Sequence, residues 1–150
     1  MCRFMIIEFE QCIKEGIVCK VTPDKQRASD LIIESERKYD FLLKLVEAIG
    51  IDDDKANEYV ESCYNILLFL IRAKMLIDGY NSSGVGAHEA EVAFSRLIGL
   101  SEKQVIFLDK LRYFRNGIMY YGKRFDKEYA QKVVKYTKET YSKLKDIVKQ

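Results

Sequence analysis

The chain has 150 residues, enough for one domain that buries roughly two-thirds of the surface its unfolded form exposes. Ordinary apolar and charged fractions and a net charge of +2 exclude a disordered polyelectrolyte. The longest apolar run, residues 66–71, is too short to cross a membrane, and the spacing of four cysteines and one histidine argues against a zinc site. With no signal-peptide pattern at the N-terminus, we expect a cytoplasmic protein with reduced thiols and no metal or cofactor.

Helix signals begin near the N-terminus. Residues 4–14 carry apolar side chains at helical spacing up to Gly16, and residues 17–21 follow as an extended connection. The Thr-Pro-Asp sequence at 22–24 supplies a hydroxyl cap, a proline at the first helical position and an acid in the first turn. It therefore predicts the start of a long helix, whose apolar spacing continues to Gly50.

A second long helix is predicted to start at the acidic cluster 52–54 and to end at Gly79. Residues 63–71 are apolar on almost every side, so this helix should be the most buried element. Residues 81–86 are rich in serine and glycine and predict a loop. No segment alternates apolar and polar residues over a length that would indicate a strand.

Three further helices complete the chain. A short one is predicted at 87–98, and a capping box at 101–104 opens a longer helix that ends at Gly122. Asp126 caps the last helix. The apolar side chains of that helix that we expect to face inward are Tyr129, Val133, Tyr136, Leu144 and Ile147.

These elements predict one all-α domain over residues 1–150. A short helix and a connection occupy 1–21, and residues 22–150 form an up-and-down antiparallel bundle of four long helices with one or two short ones, because short loops join neighbours that run in opposite directions.

The helix that ends at Gly122 carries two contrasting faces. Its predicted core seam comprises Phe107, Leu111, Phe114, Ile118 and Tyr121. Its opposite face comprises Arg112, Arg115, Asn116, Met119, Tyr120 and Lys123. Arginine forks bind phosphate oxygens and tyrosine stacks on bases, so this face suits a polyanion. It equally suits a dimer interface, where Arg, Tyr and Met are enriched, or a merely exposed surface.

Charge is unevenly distributed along the chain. Residues 110–149 contain twelve Lys or Arg against four acids, a net charge of +8, whereas the remainder is net acidic. A basic C-terminal third is typical of proteins that bind a polyanion or an acidic partner, although a solvated lysine-rich face gives the same composition.

The motif RNGIMYYG at residues 115–122, on the last-but-one helix of a bundle, resembles the motif of the HEPN domains. The resemblance extends from about residue 22 to the C-terminus. It includes the long first helix pair and the His88-Glu89 pair at the start of the short helix. It implies a homodimeric helical bundle. It also implies metal-independent RNA cleavage in many members, often as toxins paired with a nucleotidyltransferase antitoxin, or only nucleotide binding or association in others.

The same resemblance assigns roles to individual residues. Arg115 matches the motif arginine and would hold the scissile phosphate, and Asn116 would fix its geometry. The histidine of the motif falls at Tyr120, which titrates near ~10 and is a poor general base at neutral pH. Toxin members tend to have a tyrosine where this chain has Gly122, which weakens the toxin assignment. His88 can supply the missing proton transfer only if the fold brings it to Arg115.

The leading hypothesis is a homodimeric HEPN-like protein whose Arg115 face, facing the second copy across the two-fold axis, forms a basic cleft. This cleft at the dimer interface would bind RNA or a nucleotide, with weak or no ribonuclease activity. Arg112, Arg115, Lys123, Tyr120 and His88 would form the binding site. The alternatives are a protein-interaction module without catalysis and an active ribonuclease toxin that uses His88 or Tyr120. Arg115 neutralised by an acid and sealed from solvent would count against RNA binding.

Overall fold

The computed structural model describes residues 6–149, apart from the side chains at positions 119 and 120. Within this range the chain forms helices with two short strands between them: α1 (Phe9–Lys14), β1 (Val18–Lys20), α2 (Lys25–Ile49), α3 (Ala56–Ile77), β2 (Tyr80–Ser82), α4 (Ala87–Leu97), α5 (Glu102–Tyr121) and α6 (Lys127–Val148). Four helices are long and two are short, so the predicted all-α bundle is confirmed.

Helix α3 is the centre of the bundle. It packs against α2, α4, α5 and α6, and residues on all its sides are buried, as its apolar sequence predicts. The buried serine Ser35 of α2 donates a hydrogen bond to the carbonyl of Ile66 (2.8 Å), where α2 contacts α3. None of the helices within residues 6–149 is both long and apolar enough to span a bilayer.

The two strands were not predicted from the sequence. Strand β1 pairs with β2 in antiparallel register, Val18 opposite Ser82 and Lys20 opposite Tyr80. Each strand has three residues, too few for an alternating pattern to be visible. The pairing converts the predicted connection 17–21 and part of the predicted loop 81–86 into a small sheet, which places β2 beside the start of α4.

The predicted helix ends hold with two corrections. The cap of α2 is Asp24, whose side chain accepts from the Arg27 amide (3.0 Å), so residues 22 and 23 precede the helix. Helix α1 begins at Phe9, not at residue 4, and positions 1–5 lie outside the described residues. The capping box of α5 and the Asp126 cap of α6 are confirmed, and Gly122 ends α5 with a φ of 62°.

The predicted core seam of α5 is only partly right. Leu111 is buried and Phe107 and Ile118 pack against the core, whereas the Phe114 ring contacts Phe125 and Tyr129 and Tyr121 is 87% exposed. Helix α5 packs against α4 as well as α3. The buried side of α5 therefore includes Arg112 of the predicted polar face, and Tyr121 of the predicted core seam lies at the surface.

Candidate functional site

Three helices bring Tyr64, His88 and Arg115 together. Tyr64 lies in the fully buried middle of α3, His88 in the first turn of α4 and Arg115 in the second half of α5. The centroid of the Tyr64 ring is 6.3 Å from that of the His88 ring and 5.8 Å from the Arg115 guanidinium carbon. The latter distance is that of a cation–π contact. The fold thus brings His88 and Arg115 to the same tyrosine ring, and the Arg115 charge acts on His88, which sequence spacing alone left open.

Each of these three side chains has a buried polar atom without a hydrogen-bond partner in the described part of the chain. The atoms are the Tyr64 hydroxyl oxygen, His88 Nδ1 and Arg115 Nε. An unsatisfied buried polar group costs about 1–3 kcal/mol, so native proteins rarely leave several in contact unless water or a ligand satisfies them. The cluster is therefore the best candidate for a functional site in this fold.

Glu91, in the second turn of α4, lies next to His88 and is buried. Its carboxylate is 1% exposed and accepts from Arg72 Nε (2.6 Å) and Nη2 (3.3 Å) and from the Ser82 hydroxyl (3.5 Å). His88 Nδ1 lies 3.7 Å from the same carboxylate, too far for a hydrogen bond. Burial raises the pKa of Glu91, and the Arg72 guanidinium opposes that shift.

Arg112 is already engaged by two carboxylates. Its guanidinium donates to Asp109 (2.9 Å) and Glu89 (3.1 Å), and its side chain is only 12% exposed. Because both charge and donors are used inside the protein, this geometry does not fit the predicted contact with phosphate. Glu89, expected as a first-turn acid, connects α4 to α5 through this pair.

Arg115 differs from its neighbours in having no acidic partner among the described residues. Arg72 is paired with Glu91 and Arg112 with two acids, so Arg115 is the uncompensated cation of the three. Its side chain is half-buried and not sealed from solvent. A cation in this state is available for an anion, since no internal charge has to be displaced first.

His88 is held neutral by its surroundings. Burial lowers its pKa, and the positive charges of Arg72 and Arg115 lower it further, while Glu89 opposes them. A neutral imidazole has a free nitrogen that can accept a proton at neutral pH, and its lowered pKa makes it a weaker base than a histidine paired with a carboxylate. The site therefore combines an open guanidinium with a potential proton acceptor.

The other predicted site residues are not part of this cluster. Lys123 Nζ lies over the rings of Phe114 (5.1 Å) and Phe125 (5.5 Å), on a different side of α5 from the buried Asp109 and Arg112. Asn116 is half-buried, and within residues 6–149 its side chain makes no hydrogen bond. Tyr120 belongs to α5, but its side chain lies outside the described residues.

Sequence reasoning missed three members of the cluster. Tyr64 was predicted as a core residue and is indeed buried, but its hydroxyl has no partner. Arg72 and Glu91 are charged residues of opposite sign, and each interrupts an apolar stretch of a helix. Because a charge within a buried helix usually has a partner, these two positions could have indicated an ion pair. Among the described residues, no three His, Cys, Asp or Glu side chains converge as metal ligands.

Comparison with known proteins adds no relative from which a role can be transferred. No protein-family model matches the chain, no curated protein matches it, and no solved structure matches its fold.

Proposed function

We propose that this protein is a HEPN-like bundle that binds RNA or a nucleotide through Arg115, with weak or no ribonuclease activity. The observation that carries the proposal is the uncompensated Arg115 guanidinium beside two further unpaired polar atoms, on Tyr64 and His88. A phosphate oxygen can accept from the N–H groups of this half-buried guanidinium. The basic residues of α6 and of the segment before it would add attraction for a polyanion.

This proposal is tested by RNA retention, by which we mean the fraction of labelled RNA that remains bound to the protein. Labelled single-stranded and structured RNA would be incubated, without metal, with wild type, Arg115→Ala and the control Lys110→Ala, which changes an exposed cation on the same helix. We expect retention that weakens as salt rises from about 50 to about 200 mM and that is lost in Arg115→Ala alone. Equal retention by all three proteins would assign binding to general surface charge and overturn the role of Arg115.

Homodimer formation is part of the proposal, through the exposed side of α5. Ile106, Tyr113 and Tyr121 are large, exposed side chains of this helix. Arg115 is nine residues from Ile106, so it lies about half a turn away around the helix. A dimer formed through the exposed side would leave the Arg115 site open, in contrast to the predicted cleft between two copies. We expect Ile106→Glu to convert a dimer to a monomer in light scattering, with RNA retention unchanged.

A second candidate function is an active, metal-independent ribonuclease in which His88 takes the proton of the attacking 2′-hydroxyl. It is favoured by the position of a neutral His88 beside Arg115. Losing one acid/base group typically costs about 10²–10⁴ in rate. Cleavage abolished by His88→Gln, with retention kept, would establish it, and would make a nucleotidyltransferase-type antitoxin the partner to seek. In an interaction module, neither RNA retention nor cleavage would be observed.

A further inference from the structure

A cavity of about 260 Å³, which we call the second cavity to separate it from the Arg115 site, lies between α2, α3, β2 and the first two turns of α4. It shares Arg72 and Glu91 with the Arg115 site, but its remaining walls come from other residues. Its volume is slightly below the range of about 300–1,000 Å³ that drug-sized ligands occupy. A compact molecule therefore fits it, and a folded polymer does not.

Two guanidinium groups line this cavity. Arg27, on the exposed side of α2, has no side-chain partner within the described chain. Arg72 donates to Glu91 through Nε and one terminal nitrogen, which uses two of its five N–H groups. Glu91 also lines the cavity and offsets the charge of Arg72, so Arg27 supplies the net positive charge and Arg72 adds its remaining N–H donors. Such donors on two arginines that share one cavity suit an anion with several oxygens.

The start of α4 adds to the positive potential. Ala87 lines the cavity as the first residue of the helix, and the preceding residue, Gly86, provides no side-chain cap. The Ala87 N–H itself donates to the Gly84 carbonyl (3.3 Å), so this helix start contributes through the partial positive charge of its dipole and not through that donor. This contribution is secondary, since Arg27 supplies the net formal charge and Glu91 offsets that of Arg72.

Part of the cavity lining is apolar. Its apolar lining comprises Leu31, Met75 and Leu76, together with the ring of Tyr80. An inorganic ion would leave these side chains in contact with water, whereas an apolar or flat group would cover them. The cavity therefore fits a molecule with an anionic end and a compact apolar body.

We propose that this cavity binds a phosphomonoester with a compact apolar body, with the phosphate on Arg27 and Arg72 and the body against Met75 and Tyr80. This site goes beyond the proposed RNA binding and does not depend on it. The phosphate belongs either to a free small molecule or to the terminal phosphate of a nucleic acid. The two sources present the same group, and the experiment separates them.

The test is a calorimetric titration of the full chain with phenyl phosphate, inorganic phosphate and phenol. We expect saturable binding of phenyl phosphate and weaker binding of the two fragments. Arg27→Gln should weaken phenyl phosphate about tenfold or more, as loss of a charged hydrogen bond does. Arg37→Gln is the matched control, because Arg37 is an exposed arginine of the same helix outside the cavity. Absence of saturable binding, or equal weakening by both variants, overturns the proposal.

Two further variants fix the location. Ala87→Leu fills the cavity from the first turn of α4 and should abolish binding without touching either arginine. Arg115→Ala should leave it unchanged, so that failure of RNA retention and failure of this site are distinguishable. Loss of phenyl phosphate binding in Arg115→Ala assigns the ligand to the other site and overturns the proposal.

The last arm uses a 5′-phosphorylated oligonucleotide and its unphosphorylated form. Competition of the phosphorylated form alone with phenyl phosphate supports recognition of the phosphomonoester and identifies a nucleic-acid end as a source. No competition by either form supports a free small molecule. Binding of the oligonucleotides without binding of phenyl phosphate overturns the proposal.

Discussion

The carboxylate of Glu91 and the guanidinium of Arg72 form a two-bond pair whose members differ sharply in exposure. Glu91 is 1% exposed and Arg72 is 36% exposed, with the shorter bond at 2.6 Å. The pair joins α3 to α4 and lies between the Arg115 site and the second cavity. Loss of Arg72 would leave the buried Glu91 carboxylate without a cation, because no other described cation donates to it.

We expect Arg72→Met to lower the free energy of unfolding by about 2–4 kcal/mol, because it leaves Glu91 buried and uncompensated. The double variant Arg72→Met with Glu91→Met should recover much of that loss, since neither charge then remains. Urea unfolding of the wild type, both single variants and the double variant gives the coupling. Additive losses would contradict a direct interaction between the two residues.

Arg112 should behave as a structural residue and not as a ligand contact. Arg112→Met removes the partner of Asp109 and Glu89, so we expect a loss of about 2–4 kcal/mol in unfolding free energy. Lys110→Met changes an exposed cation two residues away and should cost about 0.5 kcal/mol or less. Urea titration compares them. An Arg112→Met protein as stable as wild type but deficient in RNA retention would restore the phosphate-binding role.

The helices were predictable because their signals are local. The capping box at Ser101 and Gln104 and the acid at Asp126 each act within one turn, and both are observed. The cap of α2 was misassigned because Thr22 and Asp24 are both good caps, and only the hydrogen bond to the Arg27 amide decides between them. The pairing of β1 with β2 depends on a contact across more than sixty residues of chain, which no local pattern encodes.

Only Arg115 and His88 of the described cluster were predicted from the sequence. Arg115 and His88 were identified from residue type and position, but their proximity arises from how α3, α4 and α5 pack around Tyr64. The pairing of Arg112 with Asp109 is local, three residues along α5, and was available in principle. Its second partner, Glu89, comes from another helix and was not.

Asn57 fixes the segment that follows α5. Its amide donates to the Lys123 carbonyl (2.8 Å) and its side-chain oxygen accepts from the Phe125 amide (2.9 Å). We expect Asn57→Ala to lower the free energy of unfolding by about 1–3 kcal/mol, because it leaves two backbone groups without partners.

Thermal or urea unfolding measures this loss, with Glu58→Ala as the control at the neighbouring exposed position. Asn57→Asp keeps the acceptor for the Phe125 amide and removes the donor, so it should fall between wild type and Asn57→Ala. Equal stability of all four proteins would mean that the bridge contributes nothing to the fold.

The single histidine of the chain makes its titration directly measurable. Burial, Arg72 and Arg115 lower the pKa of His88 below its usual value of 6.5, so a proton NMR titration of its ring should give a midpoint below 6.5. Arg115→Gln removes one of the cations and should raise that midpoint. A midpoint at or above 6.5 would show that Glu91 and Glu89 outweigh burial.

The lowered pKa fixes the sign of the pH dependence of stability. Protonated His88 is disfavoured in the folded state, so its contribution to stability is complete above pH 6.5. That contribution is lost as pH falls from 6.5 toward the folded-state pKa. Glu91, whose pKa is raised, contributes in the opposite direction at lower pH. The difference in unfolding free energy between wild type and His88→Gln, measured from pH 7.5 to pH 5 at intervals of about half a unit, isolates the histidine. We expect that difference to shift against wild type on acidification, and a difference independent of pH would place His88 in a solvated environment.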